Sequence, residues 1–417
     1  MPLAITLTLS LTAMALPMLE THVPSITKWA QHTSWLVPSD PTMAQLLLAA
    51  IAGSCITVVS VVYSVLLVAL TFASMQFSPR IMTSFINDRV SQTTLGLFIG
   101  TFAYCLILLP NVHVFSKVTL PTLSLTCALV LAAACLICLI YFIHHIAIAI
   151  QVNYIVDHVA RETENSLRSV FGMPLKGAPT EQEPLIEPAT GTTIISKRTG
   201  YIQYIDEKKL LDLAASMDAG IYIYRNVGQF IPAGATCINI SAIGDISETL
   251  KQQLLNCVHI GPLRSMESDV EFGIFQIVDI ALKALSPAVN DPSTAICCID
   301  HLTRILMLAA TLEPPVCRIT DQNGVIRLVS KQTSFLRLLN VSYNQIIPYG
   351  KSDMAVSLRL LRALQDIAGQ TKHAPYLTGI GKHAQRVAKA CASFFPPEDC
   401  EELLGRLSTI EKRIEAK

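Results

Sequence analysis

Four long stretches of this sequence contain no charged side chain, and each is about long enough to cross a lipid bilayer as a helix. They cover residues 1–19, 42–75, 94–110 and 118–150. A membrane-spanning helix needs roughly 20 apolar residues. Only seven of the 62 charged side chains lie in residues 1–150. We therefore predict a membrane α-helical fold with four transmembrane helices, followed by a cytosolic α+β region that combines a small β module with a helical bundle.

The composition agrees with a membrane protein and excludes several other classes. Charged residues make up 15% of the chain, against roughly 25% in soluble domains, and the mean hydropathy is +0.47. A chain of this kind is neither disordered nor a soluble multi-domain enzyme, because it cannot cover itself with polar surface. The formal net charge is zero, with no basic stripe. Since binding to nucleic acid needs clustered Lys and Arg to displace counterions, we exclude nucleic acid as a partner.

The distribution of basic residues predicts the orientation in the membrane. The loop at 76–93 carries Arg80 and Arg89, and loops with Lys and Arg stay in the cytoplasm. We therefore place this loop, both termini and all of residues 151–417 on the cytoplasmic side, with the first stretch kept as a helix. The 12 cysteines fit this placement, because reduced thiols are typical of the cytosol.

The second stretch has a line of small and hydroxyl-bearing residues at helical spacing. These positions recur every three or four residues, so they share one face of a helix, while the other faces carry Val, Leu and Ile. One interpretation is a close-packed seam between helices. The other is a pore lining, in which each subunit of a symmetric oligomer contributes hydroxyl groups that face water. The positions are Gly53, Thr57, Ser60, Ser64, Thr71 and Ser74.

Two further groups of polar residues mark the predicted cytoplasmic interface. Residues 77–89 predict a short amphipathic helix in the headgroup layer, with Arg80 and Arg89 bound to lipid phosphates. The alternative role for these arginines is to attract a small ion, an anion, to an intracellular mouth. His144 and His145 end the fourth stretch. They are interpreted as part of an interfacial belt or, alternatively, as a proton-sensitive pair.

The remaining chain divides by composition into four parts. Residues 151–171 keep helical spacing and predict an extension of the fourth span, and the Pro-rich residues 172–190 predict a linker. Short strands with glycine turns over 191–241 predict a small β module similar to barrel-sandwich folds. Residues 242–417 predict a mainly helical domain with a hairpin near 316–329 around an Asn-Gly turn.

A polar corner between two predicted helices is the main candidate for chemistry in this region. Ser268 predicts the start of one helix, and Asn290 and Asp291 stand between it and the next, with Thr294 in the first turn. We interpret Asp291 as an N-cap and Asn290 as a turn residue, with a catalytic site as the weaker alternative. The sequence shows no nucleophile and base, no metal-ligand spacing and no phosphate loop. We therefore expect no catalytic residue, no metal, no cofactor and no enzyme activity.

Several motifs together are similar to a known family. The combination resembles a bacterial family of predicted membrane proteins with a domain of unknown function, over roughly residues 40–310. The resemblance implies a multi-pass protein of the inner membrane with four spans and a cytosolic domain, and it brings no activity. The motifs are Gly53-Ser-Cys-Ile-Thr-Val-Val, Gln76-Phe-Ser-Pro-Arg80, Gly96-Leu-Phe-Ile-Gly-Thr101, Tyr141-Phe-Ile-His-His-Ile, and Ser286-Pro-Ala-Val-Asn-Asp-Pro-Ser-Thr294-Ala295.

These observations predict a homo-oligomeric ion channel or pore-type transporter with a cytosolic domain that assembles or gates it. The expected partners are membrane lipids, further copies of the chain and a small ion or anion. No ionisable residue lies inside the predicted spans before His144, whereas coupled transporters usually need one. Four helices with a single polar stripe cannot enclose a pore alone, which predicts the oligomer. The alternative is a membrane-anchored regulatory or scaffolding protein without transport activity.

Overall fold

The computed structural model describes residues 1–22, 40–76, 88–115, 122–171, 191–241, 246–313 and 317–415. These residues form two compact units, Met1–Tyr154 and Ile155–Lys417. The predicted elbow at 77–87, including Arg80, and the predicted linker at 172–190 lie outside the described residues.

The first unit consists of four long apolar helices. Their bounds agree with the four uncharged stretches of the sequence, because an apolar segment at membrane depth must satisfy its backbone hydrogen bonds internally and a helix does so. The helices are α1 (Pro2–His22), α2 (Pro41–Gln76), α3 (Arg89–Phe115) and α4 (Thr122–Ala149).

The four helices alternate in direction, as contacts along α3 show. Near one end of α3, Tyr104 donates from its hydroxyl to the carbonyl of Ser124 on α4 at 2.9 Å. Toward the other end, Thr94 Oγ1 lies 3.3 Å from the Sγ atom of Cys138. Residues later in α4 therefore contact residues earlier in α3, so these two helices are antiparallel. The tight core of this unit includes Leu48 of α2 and Ala13 of α1.

Two glycines allow α1 to approach α3 closely. A Cβ atom added at Gly96 would lie 3.0 Å from the Cα atom of Pro2, and one added at Gly100 would lie 2.6 Å from Cδ1 of Leu9. The Gly96-xxx-Gly100 motif therefore faces a neighbouring helix, as small residues at helix crossings in membranes do. The same contacts make α1 parallel to α3.

The structure contains five helices that are long and apolar enough to span a membrane, among the residues described. Four of them are α1 to α4, and the fifth is Pro292–Thr311 in the second unit. A mostly helical structure with several apolar helices is therefore confirmed, while the count of four spans stays a prediction.

The second unit combines helices with eight short strands. The strands are β1 (Thr192–Ile195), β2 (Gly200–Ile205), β3 (Ile221–Ile223), β4 (Phe230–Ile231), β5 (Thr236–Ile240), β6 (Val258–Gly261), β7 (Arg318–Thr320) and β8 (Ile326–Ser330). The helices are α5 (Val152–Phe171), α6 (Glu207–Ser216), α7 (Glu248–Asn256), α8 (Val270–Ala284), α9 (Pro292–Thr311), α10 (Phe335–Tyr343), α11 (Ile346–Gly350), α12 (Met354–Gln370), α13 (Ala374–Ala392) and α14 (Glu401–Glu415).

The strands form two sheets that reach beyond the predicted module at 191–241. One sheet has the order β1-β5-β3-β8-β7, and the other has the order β4-β2-β6. The pairing of β3 with β8 is parallel and joins Tyr222 to Val329, so the hairpin predicted near 316–329 completes the first sheet. A small sheet region is confirmed, but it is not a self-contained module, because its core includes Leu254, Ile319 and Leu328 from outside that range.

The helical part of this unit is organised around α9. Its buried face includes Ile299, Leu302 and Leu306, and it packs mainly on α8 and α12. Arg304 on its more exposed side donates from Nη1 to Asp157 at 2.9 Å and from Nε to Glu164 at 2.6 Å, both on α5. These ion pairs fix α5 along α9.

Local capping agrees with the sequence except at one helix start. The helix predicted to begin at Ser268 is capped instead by Asp269, whose side chain accepts from the backbone amide of Phe272 at 3.0 Å. Asp269 also accepts a bidentate hydrogen bond from Arg264. A carboxylate that an arginine holds in place is the better cap here, because it satisfies the arginine and the helix amide together.

Candidate functional site

The small and hydroxyl-bearing positions of α2 lie on the surface of the first unit. Gly53, Thr57, Ser60, Ser64 and Thr71 are all exposed, and a Cβ atom added at Gly53 meets nothing within 4 Å. We refer to these five positions as the α2 stripe. The side chain of Ser74, the sixth predicted position, lies outside the described side chains.

The hydroxyl groups of the α2 stripe bond to their own helix. Thr57 donates to the carbonyl of Gly53 at 2.8 Å, Ser64 to that of Ser60 at 2.8 Å, and Thr71 to that of Leu67 at 2.8 Å. A hydroxyl has one hydrogen to donate and two lone pairs to accept with. Since each hydrogen is used within the helix, the oxygen atoms remain available as acceptors on the outer surface.

The opposite side of α2 supplies its packing within the unit. Ala52, Cys55, Val62 and Ala69 are buried and contact α3 or α4. The contrast follows from the sequence, because residues every three or four positions share a helix face. The α2 stripe therefore does not pack against the described residues of its own chain, and it is open to lipid, to water or to a second protein surface.

One end of the helix bundle carries a contact between a carboxylate and an imidazole that the sequence analysis missed. His145 of α4 places Nε2 at 3.1 Å from Oδ1 of Asp88, which precedes α3. Asp88 also accepts from the backbone amide of Ser91 at 2.8 Å and from its hydroxyl at 2.6 Å. Burial raises the pKa of Asp88, but the bonds from Ser91 and the charge of His145 outweigh it, so the pKa lies below its ordinary value.

The other residues predicted at this interface are not gathered into one site. His144 is exposed, as is Arg89, whereas His145 is partly buried and stacks on Tyr141 with ring centroids 6.2 Å apart. The two adjacent histidines therefore have different environments. The spacing Asp88-x-x-Ser91 is an N-cap signal that would have indicated the role of Asp88 from the sequence.

A buried carboxylate occupies the opposite end of the bundle. Glu20 of α1 is only 6% exposed and accepts from the hydroxyl of Ser124 at 2.9 Å and from the backbone amide of Leu123. Both partners lie in the first turn of α4, where amide groups have no partner within the helix. Glu20 therefore caps α4 from a different helix, which no local pattern in the sequence indicates.

The polar corner at 286–294 is a helix start. Asp291 accepts from the backbone amide of Thr294 at 3.1 Å and from its hydroxyl at 2.6 Å. Both bonds lower the pKa of Asp291, and the bond from the hydroxyl has the larger effect. Asn290 is exposed and takes a φ of +49°, a left-handed conformation that Asn tolerates. The structure thus brings Asp291 and Thr294 together and uses Asn290 to turn the chain.

The part of the chain that the structure describes contains cysteines and possible metal ligands. No group of three His, Cys, Asp or Glu residues is placed there to hold a metal ion. The Sγ atom of Cys135 lies 3.4 Å from Oγ1 of Thr101 on α3, and Cys138 makes the matching contact with Thr94. Cys135 and Cys138 therefore pack α4 against α3.

Comparison with known proteins places the chain among uncharacterised membrane proteins. A family model described as "Predicted membrane protein (DUF2254)" matches residues 1–366. The uncharacterised proteins Mb1321c of Mycobacterium bovis and Rv1290c of Mycobacterium tuberculosis are each 32% identical over 334 residues. The match covers 79% of this chain and 64% of each relative, so the chain spans less than two thirds of their length. No solved structure matches it significantly.

Proposed function

This chain belongs to the DUF2254 family of predicted membrane proteins, and on that premise we propose that it is a homo-oligomeric channel or pore-type transporter of the bacterial inner membrane. In this proposal α1 to α4 are the four spans, the α2 stripe of several subunits lines the conduction path, and the second unit assembles or gates the pore on the cytoplasmic side. It is a transport protein and not an enzyme.

The exposure of the α2 stripe is the observation that carries this proposal. When the hydroxyl oxygen of Ser60 or Ser64 faces lipid, it finds no hydrogen-bond donor there. Around a symmetry axis, the same oxygens form rings of hydrogen-bond acceptors that can replace part of the water shell of a cation. One subunit cannot enclose such a path, because its other helices lie on the far side of α2.

The choice of α1 to α4 as the spans follows from the charges on α9. That helix is apolar enough to cross a membrane, yet it carries Asp300 and Arg304, and both form ion pairs within the second unit. Charged residues at membrane depth are costly. We therefore assign α9 to the core of the cytosolic domain.

The second candidate function is a membrane-anchored regulatory or scaffolding protein. The hydroxyl hydrogens of the α2 stripe are already bonded within the helix, so the stripe is equally suited to close packing against a helix of another subunit or partner. In this case water does not reach the α2 stripe in the assembled protein.

Cysteine accessibility separates the two candidates. Thr57→Cys, Ser60→Cys and Ser64→Cys are made in the full chain, reconstituted in liposomes and treated with a membrane-impermeant thiol reagent. Val65→Cys is the matched control, because Val65 is also exposed on α2 but on an apolar face, and the unsubstituted chain gives the background from native cysteines. The channel predicts labelling at the stripe and none at Val65.

The opposite result removes the channel proposal. If Thr57→Cys, Ser60→Cys and Ser64→Cys all stay unlabelled while the protein is an oligomer, the stripe is a packing surface and the scaffold remains. A monomer in native mass spectrometry, with no ion flux in liposomes, also contradicts a pore formed by several subunits.

A further inference from the structure

The second unit contains a basic cavity that the membrane function does not use. It has a volume of about 340 Å³ and lies between the turn that joins β1 to β2 and the segment α7–β6. Ligand pockets in proteins begin at roughly 300 Å³, so this cavity can hold a small molecule. Its principal lining residues are Lys197, Arg198, Gln252, Asn256, His259 and Ile260.

The charge of this basic cavity is one-sided. Its lining contains a lysine, an arginine and a histidine, and no carboxylate. In the part of the chain that the structure describes, neither Lys197 nor Arg198 forms an ion pair with an acidic side chain. Glu248, which interacts electrostatically with Lys197, is already bonded to Lys251 at 2.8 Å. Asp206 interacts electrostatically with His259 but is already bonded to Lys209. Two cations without an ion pair on one wall therefore favour an anionic ligand.

The turn that presents the two cations is fixed by its own hydrogen bonds. Ser196 is buried, and its hydroxyl donates to the carbonyl of Arg198 at 2.7 Å and accepts from the Arg198 amide at 3.3 Å. The backbone of Ser196 also bonds to Ala235 and Gly234 at 2.8 Å each. Such a turn fixes the backbone that carries the two exposed basic side chains before any ligand arrives, which lowers the entropy lost on binding.

Amide groups continue the polar wall along α7. Lys197 Nζ lies 3.4 Å from Oε1 of Gln252, and Gln252 Nε2 donates to Oδ1 of Asn256 at 3.0 Å. The Lys197–Gln252 bond is long and exposed, so a stronger acceptor can replace it at little cost. Phosphate oxygens are such acceptors, because their hydrogen bonds to ammonium and guanidinium groups are charge-assisted.

A second cavity that also borders α7 contains a basic residue that is paired with an acidic one. It has a volume of about 360 Å³ and is lined by Lys209, Asp212 and Asn256, among others. There Lys209 is bonded to Asp206 at 2.9 Å, and Asp212 adds a negative charge. The two cavities are similar in size and differ in charge, which makes Lys209 a matched control for Lys197.

We propose that the basic cavity at Lys197, Arg198 and His259 binds the phosphate groups of a small anionic molecule. Ile260, together with Leu255 and Val258, adds an apolar part to the lining, which suits the organic part of a phosphorylated metabolite. His259 also lies against Tyr204, with ring centroids 5.8 Å apart. The proposal does not depend on the α2 stripe and survives if the channel proposal fails.

The test uses the full chain in nanodiscs of neutral phosphatidylcholine, with inorganic pyrophosphate as the probe in isothermal titration calorimetry and a chelator present. The unsubstituted chain binds pyrophosphate, and the double variant Lys197→Ala/Arg198→Ala weakens that binding by about tenfold or more, because each lost charge-assisted bond is worth about a factor of ten. Lys209→Ala changes the affinity by less than about twofold.

The conservative variant Arg198→Lys guards against a folding effect, since it keeps the charge and loses only the guanidinium fork. It binds pyrophosphate more tightly than the double variant. If the unsubstituted chain fails to bind pyrophosphate, or if Lys209→Ala weakens binding as much as the double variant, the proposal is overturned.

Nanodiscs that contain anionic phosphatidylglycerol distinguish a soluble phosphate from a lipid headgroup. If headgroups occupy the cavity, the affinity of the unsubstituted chain for pyrophosphate falls about tenfold relative to neutral nanodiscs. If the natural ligand is a soluble molecule, the affinity stays unchanged. Each result supports phosphate recognition and assigns its source.

Discussion

The Nε2 atom of His145 lies 3.1 Å from Oδ1 of Asp88, and this contact joins the end of α4 to the start of α3. About a quarter of each side chain is exposed, so the pair sits at the edge of the bundle rather than in its core. Asp88 uses its other oxygen to cap α3. One carboxylate thus positions two helices through residues that are 57 positions apart in the sequence.

Replacing Asp88 by Ala removes both functions of this carboxylate. We expect the free energy of unfolding in detergent to fall by about 1–2 kcal/mol, which is the usual cost of a lost N-cap. His145→Ala removes the contact with Asp88 and the stacking on Tyr141 but leaves the N-cap, and we expect it to cost less, because pairs near the surface contribute about 1 kcal/mol at most. Thermal unfolding compares both variants with His144→Ala, whose exposed imidazole is the matched control. Equal effects at His144 and His145 would contradict the pairing.

The same carboxylate predicts a dependence on pH. The pKa of Asp88 is lowered in the folded protein, so its contribution is fully present above the unfolded pKa and is lost as the pH falls through the folded value. Below about pH 4 the stability difference between the unsubstituted chain and Asp88→Asn therefore shrinks as the pH falls. A difference that grows on acidification below about pH 4 contradicts this assignment.

At the other end of the bundle, we expect the carboxylate of Glu20 to contribute to stability as a helix cap. Glu20→Ala leaves the amide of Leu123 and the hydroxyl of Ser124 without their acceptor in a buried position. We expect a loss of about 1–3 kcal/mol in the free energy of unfolding. Glu20→Gln retains an oxygen that can accept one of these bonds, so it costs less. Unfolding in detergent measures both, and equal losses would show that the acceptor oxygen is unimportant.

The sequence predicts some of these features and not others, because the interacting residues are close together along the chain in some cases and far apart in others. The helices α1 to α4, the cap at Asp291 and the turn at Asn290 follow from patterns within a few residues. The Asp88–His145 pair and the cap from Glu20 join residues 57 and 103 positions apart. Hydropathy and spacing carry no information on such contacts. The α2 stripe was visible as a pattern, but its exposure depends on which helix face packs against α3.

The β region shows the same limit in another form. The strands at 192–195, 221–223 and 236–240 were recognisable from their alternation and glycine turns. The parallel partner of β3 comes from residues 326–330, about a hundred positions later. A parallel pair needs a long connection and leaves no turn signal. For this reason the sequence indicates a separate module where the structure has a five-stranded sheet that extends to β8 and β7.

Asp157 offers a comparison of two arginines that share one carboxylate. Arg304 of α9 bonds to both Asp157 and Glu164 and is 39% exposed, whereas Arg161 pairs with Asp157 within α5 and is 71% exposed. Arg304→Ala leaves Glu164 without this ion pair and Asp157 with Arg161 alone, and we expect a loss of about 1–3 kcal/mol. Arg161→Ala removes an exposed pair and costs about 0.5 kcal/mol or less.

Chemical denaturation of the full chain in detergent measures this comparison. The pKa of Asp157 is lowered, because the bond from Arg304 and the charge of Arg161 outweigh the effect of burial. The difference between the unsubstituted chain and Arg304→Ala is therefore retained at neutral pH and declines as the pH falls through the folded pKa of Asp157. A larger loss for Arg161→Ala than for Arg304→Ala would contradict the role assigned to Arg304.

Two helical glycines in the second unit predict opposite effects of the same substitution. A Cβ atom added at Gly273 of α8 would lie 1.9 Å from Oγ1 of Thr163 on α5, and Thr163 is buried. A Cβ atom added at Gly405 of α14 meets nothing within 4 Å. Gly273→Ala therefore forces α5 and α8 apart and costs about 1–3 kcal/mol. Gly405→Ala only improves helix propensity and stabilises by about 1 kcal/mol.

Thermal unfolding of both variants tests this contrast, and a double variant tests its cause. Thr163→Ala removes the atom that the new methyl group at Gly273 would strike, leaving its Cβ atom as the nearest contact at 3.0 Å. Gly273→Ala should therefore cost less in the Thr163→Ala background than in the unsubstituted chain, whereas the effect of Gly405→Ala is the same in both. An unchanged cost for Gly273→Ala would mean that its effect does not arise from the contact between α5 and α8.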